Sequence, residues 1–147
     1  MNGTSIVDAG EEDIPRILEI EREAITPPWT HGALLGEIYR EDSFFAVVKV
    51  PVSGVQGFVI LRRMGDDAEL LQIAVDKAMR RHGLADQLML AALRYSRENA
   101  PGSIFLEVRK SNEAAVALYK KHGFEPVRSR KDYYSDPVED AVVMKRD

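Results

Sequence analysis

The sequence predicts a single α/β domain, α+β by some schemes, built on a mixed, mostly antiparallel seven-stranded sheet. Three observations predict it. Runs rich in Val, Ile and Phe alternate with runs whose apolar residues recur every three or four positions. Turn-forming clusters separate them, among them Pro51-Val52-Ser53-Gly54, Gly65-Asp66-Asp67 and Ala100-Pro101-Gly102. Between Leu70 and Ala92 a hydrophobic strand passes through a basic, glycine-containing loop straight into an amphipathic helix. At 147 residues and 45% hydrophobic, the chain is long enough for one sizeable core and short for two.

Each element follows from its own residues. Ser5 to Asp8 reads as a short first strand, and Asp13 to Ile25 as a helix with Ile14, Ile17, Leu18, Ile20 and Ile25 at helical spacing and Pro15 in the first turn. Thr26-Pro27-Pro28-Trp29 breaks the chain; Thr30 is an N-cap for a second short helix through Leu34, Leu35 and Ile38, ending near Arg40. Phe44 to Val50 and Val55 to Arg63 form a β-hairpin, and Ala68 to Val75 adds a third antiparallel strand. A third helix spans Gly83 to Asn99, with Leu84, Leu88, Ala91, Ala92 and Tyr95 on one face. The strand Ser103 to Val108 follows by a right-handed crossover, so it lies parallel to the strand before the helix. Asn112 to His122 is a fourth helix, with Lys120, Lys121 and His122 at its negative end and Gly123 as C′ cap. Two last strands, Glu125 to Lys131 and Asp140 to Lys145, are joined by a loop holding Tyr133, Tyr134 and Pro137. The order is β-α-α-β-β-β-α-β-α-β-β, without repeats or linkers.

Composition excludes several functions. Twenty Lys+Arg against 24 Asp+Glu give a net charge of −4, which argues against direct nucleic-acid binding. With no Cys there is no disulfide framework, thiolate metal site or cysteine nucleophile. His31, His82 and His122 lack ligand spacing, so no metal is expected. Met1-Asn2-Gly3-Thr4-Ser5 carries no signal-peptide pattern and no apolar run approaches the roughly 20 residues that cross a bilayer, so a cytoplasmic protein without membrane attachment is expected.

The loop Arg80-Arg81-His82-Gly83 with the helical turn Leu84-Ala85-Asp86 reads as an anion cradle. First-turn N–H groups have no intrahelical partner, the helix dipole adds about half a positive charge, and Gly83 admits a ligand to the backbone. Arg80 and Arg81 supply full charges. No Lys-Ser/Thr follows Gly83, as a P-loop requires, so the expected tenant is the pyrophosphate of something other than a P-loop nucleotide.

The element order and this loop resemble the GNAT superfamily, the Gcn5-related N-acetyltransferases, whose acetyl-CoA loop runs Arg/Gln-x-x-Gly-x-Gly/Ala. Leu71 to Asp76, Phe105 to Arg109 with Ser111-Asn112, Ala117-Leu118-Tyr119, Gly123-Phe124, and Tyr133-Tyr134 before Glu139-Asp140-Ala141 are together similar to the ribosomal-protein-alanine (RimI-type) branch. Pro28-Trp29-Thr30 resembles that branch's Pro-Trp-Ser/Thr step. Departures are Ala85 at the second loop glycine, Lys77-Ala78-Met79 without the usual proline and aromatic, and a short connection between Tyr134 and Glu139. The resemblance implies a fold whose fourth and fifth strands splay apart, acetyl-CoA as co-substrate, and the N-terminal amine of a small-subunit ribosomal protein as acceptor. A monomer or weak dimer is expected.

Acetyl transfer from a thioester to an amine needs a neutral amine, a polarised carbonyl and a proton for the thiolate. Glu107 sits in the apolar strand Ile104 to Val108, in mid-sheet, where burial on both faces is expected and an unpaired carboxylate would be costly. Two readings stay open: an ion pair with Arg109 or a neighbouring strand, or a general base, which the resemblance implies. Tyr119 lies seven residues after Asn112, about 20° around the helix and roughly 10 Å along it. Its phenol, of pKa ~10, suits a general acid for a thiolate of ~8.5; the other reading is a core tyrosine between Leu118 and Phe124. Asn112 is a helix cap, and the resemblance adds a contact to the pantetheine arm. Ile73, Ala74 and Val75 are core side chains whose backbone, at a splayed edge, pairs with pantetheine and polarises the thioester carbonyl. Glu69 is the rival base, though as an opening strand residue beside Asp66 and Asp67 it reads as solvated. Trp29, Tyr39, Tyr133 and Tyr134 are candidate walls for an acceptor peptide. Arg128, Arg130 and Lys131 read as a solvated strand face, or as a docking aid on a ribosomal particle. An α-amine near pKa ~7.8 is roughly one-eighth neutral at pH 7 and a lysine about one part in 2,500, so one carboxylate fits the former somewhat better; a lysine served by a dry pocket or a small amine is the alternative acceptor, and a non-catalytic CoA-binding module on the same fold the alternative class.

Overall fold

A computed structural model describes residues 3–25 and 27–147. The start of the N-terminal segment, Met1-Asn2, and Thr26 in the break between the first two helices lie outside the described residues. The elements are β1 (Ser5–Asp8), a 3-10 turn (Glu11–Asp13), α1 (Ile14–Ala24), α2 (His31–Ile38), β2 (Ser43–Val50), β3 (Gly54–Met64) and β4 (Asp67–Val75). A second 3-10 turn (Lys77–Met79) leads to α3 (Leu84–Asn99), β5 (Ile104–Arg109), α4 (Glu113–Lys121), β6 (Glu125–Tyr134) and β7 (Glu139–Arg146). The seven strands form one sheet in the order β1-β2-β3-β4-β5-β7-β6. Only β4 and β5 are parallel; the other neighbours are antiparallel.

Local signals set the helix ends. The Thr30 side chain accepts from Ala33 N at 3.1 Å to open α2, and Asn112 accepts from Ala115 N at 3.1 Å to open α4. Gly123, at φ 90, stops α4 in the left-handed region. Each sheet face is packed separately. On one, α3 and α4 cover Val48, Val59, Leu61, Leu70, Leu106 and Met144 with Leu84, Leu88, Met89, Tyr119 and Phe124. On the other, α1 and α2 cover Phe45, Val47, Phe58, Ile60 and Ala74 with Ile14, Ile17, Ile20 and Leu34. A β-bulge between Ile60 and Leu61 shifts the β3–β4 register.

Two expectations are corrected. Strand β5 is buried on one face only: Ile104, Leu106 and Val108 are buried, while Phe105, Glu107 and Arg109 are half-buried. Helices α1 and α2 pack on β2, β3 and β4 and stop short of β5, leaving its second face open. Tyr133 and Tyr134 are the last residues of β6, not of a loop. A register shift between Arg130 and Tyr134, with Asp132 at φ 51, absorbs the irregularity that ends the period-two pattern early.

Candidate active site

The site begins where β4 and β5 part. They pair at Ala68↔Ile104 and Glu69↔Phe105 and nowhere beyond, although β4 continues to Val75 and β5 to Arg109. The closed end is bolted by Ser103 N donating to Asp67 Oδ1 at 2.8 Å and by Gly102 N to Asp66 O at 2.7 Å. A Cβ on Gly102 would fall 2.6 Å from Asp66 O, so this close approach requires glycine. From Leu70 to Val75 one edge of β4 faces a wedge with no strand beside it, which leaves backbone donors and acceptors for an extended ligand.

At the open end of β4 the chain prepares the cradle. Asp76 Oδ1 accepts from Ala78 N at 2.8 Å and Oδ2 from Arg16 Nη2 at 2.7 Å; the Ala78 amide, then Arg16, holds its carboxyl below the usual range. Arg80, Arg81 and His82 are exposed, with Arg81 at φ 67 and Gly83 at φ 78. Gly83 offers no side chain to cap Leu84, Ala85 and Asp86, and nothing lies within 4 Å of where its Cβ would stand. The residues therefore fit an anion bound by first-turn amides and two arginines. The Asp86 side chain turns elsewhere: it accepts from Lys121 Nζ at 2.9 Å and meets His122 Nε2 at 2.7 Å, tying α3 to α4. Lys121, then His122, holds its carboxyl low.

Across the wedge, Glu107 is paired not with Arg109 but with Arg130 on β6, beyond β7: Arg130 Nη1 donates to Oε1 at 3.1 Å. Its other oxygen, Oε2, is buried without a hydrogen-bond partner. An acceptor oxygen in that condition is costly unless a donor arrives. Glu69 faces the same mouth, half-buried rather than solvated; burial first, then the Glu107 charge, raises its carboxyl. The nearby Glu107 carboxylate raises the Tyr133 phenol, and the Arg130 guanidinium lies 4.5 Å over the Tyr133 ring. Arg128, Arg130 and Lys131 all lie on the exposed face of β6, as expected, and Arg130 is in addition engaged by Glu107 and Tyr133. Tyr134 meets Tyr133 edge-on at 5.0 Å, and burial, with Glu107 adding, pushes its phenol up to about 12. Arg109 lies 4.5 Å over the Tyr134 ring and donates to Pro137 O at 3.0 Å and Ser135 O at 3.1 Å, bracing the β6–β7 turn.

Tyr119 reaches this region from the opposite sheet face. It is buried, edge-on to Phe124 at 5.9 Å, and burial followed by Tyr134 raises its phenol. The structure therefore sets Glu69, Glu107, Tyr133 and Tyr134 within electrostatic reach of one another, and buried Tyr119 within reach of Tyr134. Asn112, with its side chain given to the Ala115 amide, stands at the start of the helix that carries Tyr119. Trp29 is half-buried over β4: its backbone N donates to Glu21 Oε2 at 3.1 Å and its Nε1 to the Gln72 side chain at 2.6 Å. Tyr39 stands apart, 66% exposed after α2, with its hydroxyl on Glu11. Sequence reasoning missed Arg130, Glu21 and Gln72 as members of this neighbourhood, since no local pattern links residues this far apart in the chain. The one available signal was a carboxylate set among the apolar positions of α1, Glu21 beside Ile17 and Ile20. Among the described residues there is no acidic or histidine group able to hold a metal ion.

Comparison with known proteins follows the same outline. A model of the acetyltransferase (GNAT) family matches residues 14–124. The [ribosomal protein bS18]-alanine N-acetyltransferase of Escherichia coli (strain K12) is 34% identical over 137 residues, covering 90% of this chain and 89% of that one. Its counterpart from Haemophilus ducreyi is 33% identical over 137 residues, covering 91% and 93%. The crystal structure of the ribosomal-protein-S18-alanine N-acetyltransferase from Escherichia coli superposes with TM-score 0.86 at 30% identity, over 97% of this chain and 92% of that one. Ard1 from Thermoplasma volcanium superposes with TM-score 0.89 at 32% identity, over 97% and 96%.

Proposed function

The chain belongs to the acetyltransferase (GNAT) family, and from that premise we propose that it transfers an acetyl group to the N-terminal amine of a protein, an alanine-starting ribosomal protein of the small subunit. The observation that carries the reading is the buried, partnerless Oε2 of Glu107 at the mouth of the wedge. An entering ammonium supplies the missing donor, and its proton passes to that oxygen. An α-amine needs only this much help, since roughly an eighth of it is neutral at pH 7 already. Acetyl-CoA supplies the acetyl group as a thioester.

The chain's own residues divide the remaining work. Arg80, Arg81 and the amides of Gly83 to Asp86 hold the pyrophosphate, with His82 beside them and the Asp86 carboxylate serving the α3–α4 tie instead. The exposed β4 edge at Ile73, Ala74 and Val75 pairs with the pantetheine amides and donates an N–H to the thioester oxygen, while Asn112 borders the arm. Tyr119, whose phenol burial keeps protonated, is the donor that faces the departing sulfur. Trp29, Tyr133 and Tyr134 line the acceptor's approach. The amine attacks directly, as no Cys is present to carry the acyl group. Ribosomal proteins as acceptors imply action in the cytoplasm; no helix among the described residues is long and apolar enough to cross a membrane.

The test is an acetylation assay with acetyl-CoA on two peptides: one starting with a free alanine, and one Nα-blocked with an internal lysine. Mass-resolved acetylation of the first, and not the second, is the expected result. Preference for the lysine peptide, or for a small amine, overturns the acceptor assignment.

A further inference from the structure

Glu21 is fully buried on α1, within an apolar cluster, yet its carboxylate serves residues outside its own helix. Oε2 accepts from the backbone N–H of Trp29 at 3.1 Å. Oε1 accepts from the side-chain amide of Gln72, whose oxygen in turn accepts from Trp29 Nε1 at 2.6 Å. Trp29 is therefore held at two points, its main chain by Glu21 and its ring by Gln72. Gln72 belongs to β4 beside the bulge, immediately before the Ile73–Val75 edge that borders the wedge. The α1–α2 connection is thus fastened to the strand that lines the reaction site. A methionine or leucine would fill this space without the desolvation of a carboxylate, so packing alone does not account for the residue.

We infer that Glu21 is a positioning residue for acceptor binding: it fixes Trp29 against β4 so that residues 27–30 present a rigid wall to the incoming peptide. The inference rests on the reading that a protein N-terminus enters on the Glu107 face. Its logic is preorganisation, since a wall already held costs no ordering when the peptide arrives. Burial pushes the Glu21 carboxyl up to about 7 and the Trp29 amide opposes it, which marks the group as one retained against a real cost.

The chain has one tryptophan, so Trp29 is its own reporter. The experiment compares the emission spectrum, the KM for an alanine-starting peptide and the KM for acetyl-CoA in wild type, Glu21→Met and Glu21→Gln. In Glu21→Met the emission shifts to the red and the peptide KM rises about ten-fold, the equivalent of one lost hydrogen bond, with the acetyl-CoA KM within about two-fold. Glu21→Gln keeps one acceptor oxygen and restores part of both. Should Glu21→Met not fold, Gln72→Met, which removes the acceptor for the indole, gives the same pair of changes. Unchanged emission, or shifted emission with an unchanged peptide KM, overturns the inference. If the wild type acetylates a lysine peptide and not the N-terminal one, the acceptor assignment has failed instead, and the same KM comparison with the lysine peptide still decides the role of Glu21.

Discussion

The seam between β3 and β4 is closed along its whole length, from Met64↔Asp67 to Gly57↔Val75, whereas the seam between β4 and β5 closes only at Ala68↔Ile104 and Glu69↔Phe105. Both seams share β4, so the difference lies in what stands on each side of one strand. Pairing backbone groups is close to obligatory inside a protein. A seam that gives it up leaves donors and acceptors for something other than the fold, and the side chains gathered at its mouth are the ionisable ones. Backbone pairing is concentrated in the closed seam, and the proposed chemistry in the open one. Adjacent residues of β5 embody the division: Leu106 points into the α3–α4 core and is 1% exposed, while Glu107 points into the wedge mouth.

The sharpest way to break this comparison is Glu107→Gln, which keeps shape and removes the proposed base. Its kcat should fall roughly 100-fold or more, with the KM for acetyl-CoA within about two-fold and the unfolding midpoint little changed. Glu69→Gln should cost much less. If Glu69→Gln is the more damaging of the two, the proton acceptor has been assigned to the wrong strand.

One residue earlier the expectation reverses. Leu106→Ala removes fully buried methyl groups and should destabilise the protein by about 2–5 kcal/mol in urea unfolding, while the folded variant keeps its peptide KM. A small stability loss with a large kinetic one would dissolve the division of labour.

A pH experiment sharpens the view of the α1 face. Glu21 has its carboxyl at about 7 in the folded protein against 4.5 ordinarily. Between those values the folded state holds a proton that the unfolded chain has released, so the stabilisation is complete below 4.5 and is lost as pH rises to about 7. The loss is roughly 3 kcal/mol, and Glu21→Met should erase that part of the slope. Equal slopes in wild type and variant would mean that Glu21 is ionised in both states. The smallest effect is expected at the cradle: Gly83→Ala meets no steric obstacle but sits at φ 78, costing about 1 kcal/mol and raising the acetyl-CoA KM a few-fold without touching the peptide KM. An unchanged acetyl-CoA KM would remove the loop from phosphate binding.

Much of the fold was legible because its signals are local. Thr30 and Asn112 cap helices by reaching three residues ahead, and a β-hairpin follows from Val-rich runs around Pro51 to Gly54. The parallel placement of β5 followed from crossover handedness. The positions of Glu107 and Tyr119 could be singled out as well. Their surroundings could not: Arg130 meets Glu107 across 23 positions of chain, and Gln72 lies 51 residues beyond Glu21.

By itself, then, the sequence determined the element order, the helix ends, the glycine-bearing loop before α3 and the side chains proposed here to react, since each depends on spacing within a turn or two. The tertiary structure decided which oxygen of Glu107 lacks a partner, that Tyr133 and Tyr134 belong to a strand, that the Asp86 carboxylate is spent on α4, and that Trp29 is pinned to β4. These outcomes depend on register and sheet order, where a shift of one residue turns a side chain to the opposite face, and no local pattern carries that information.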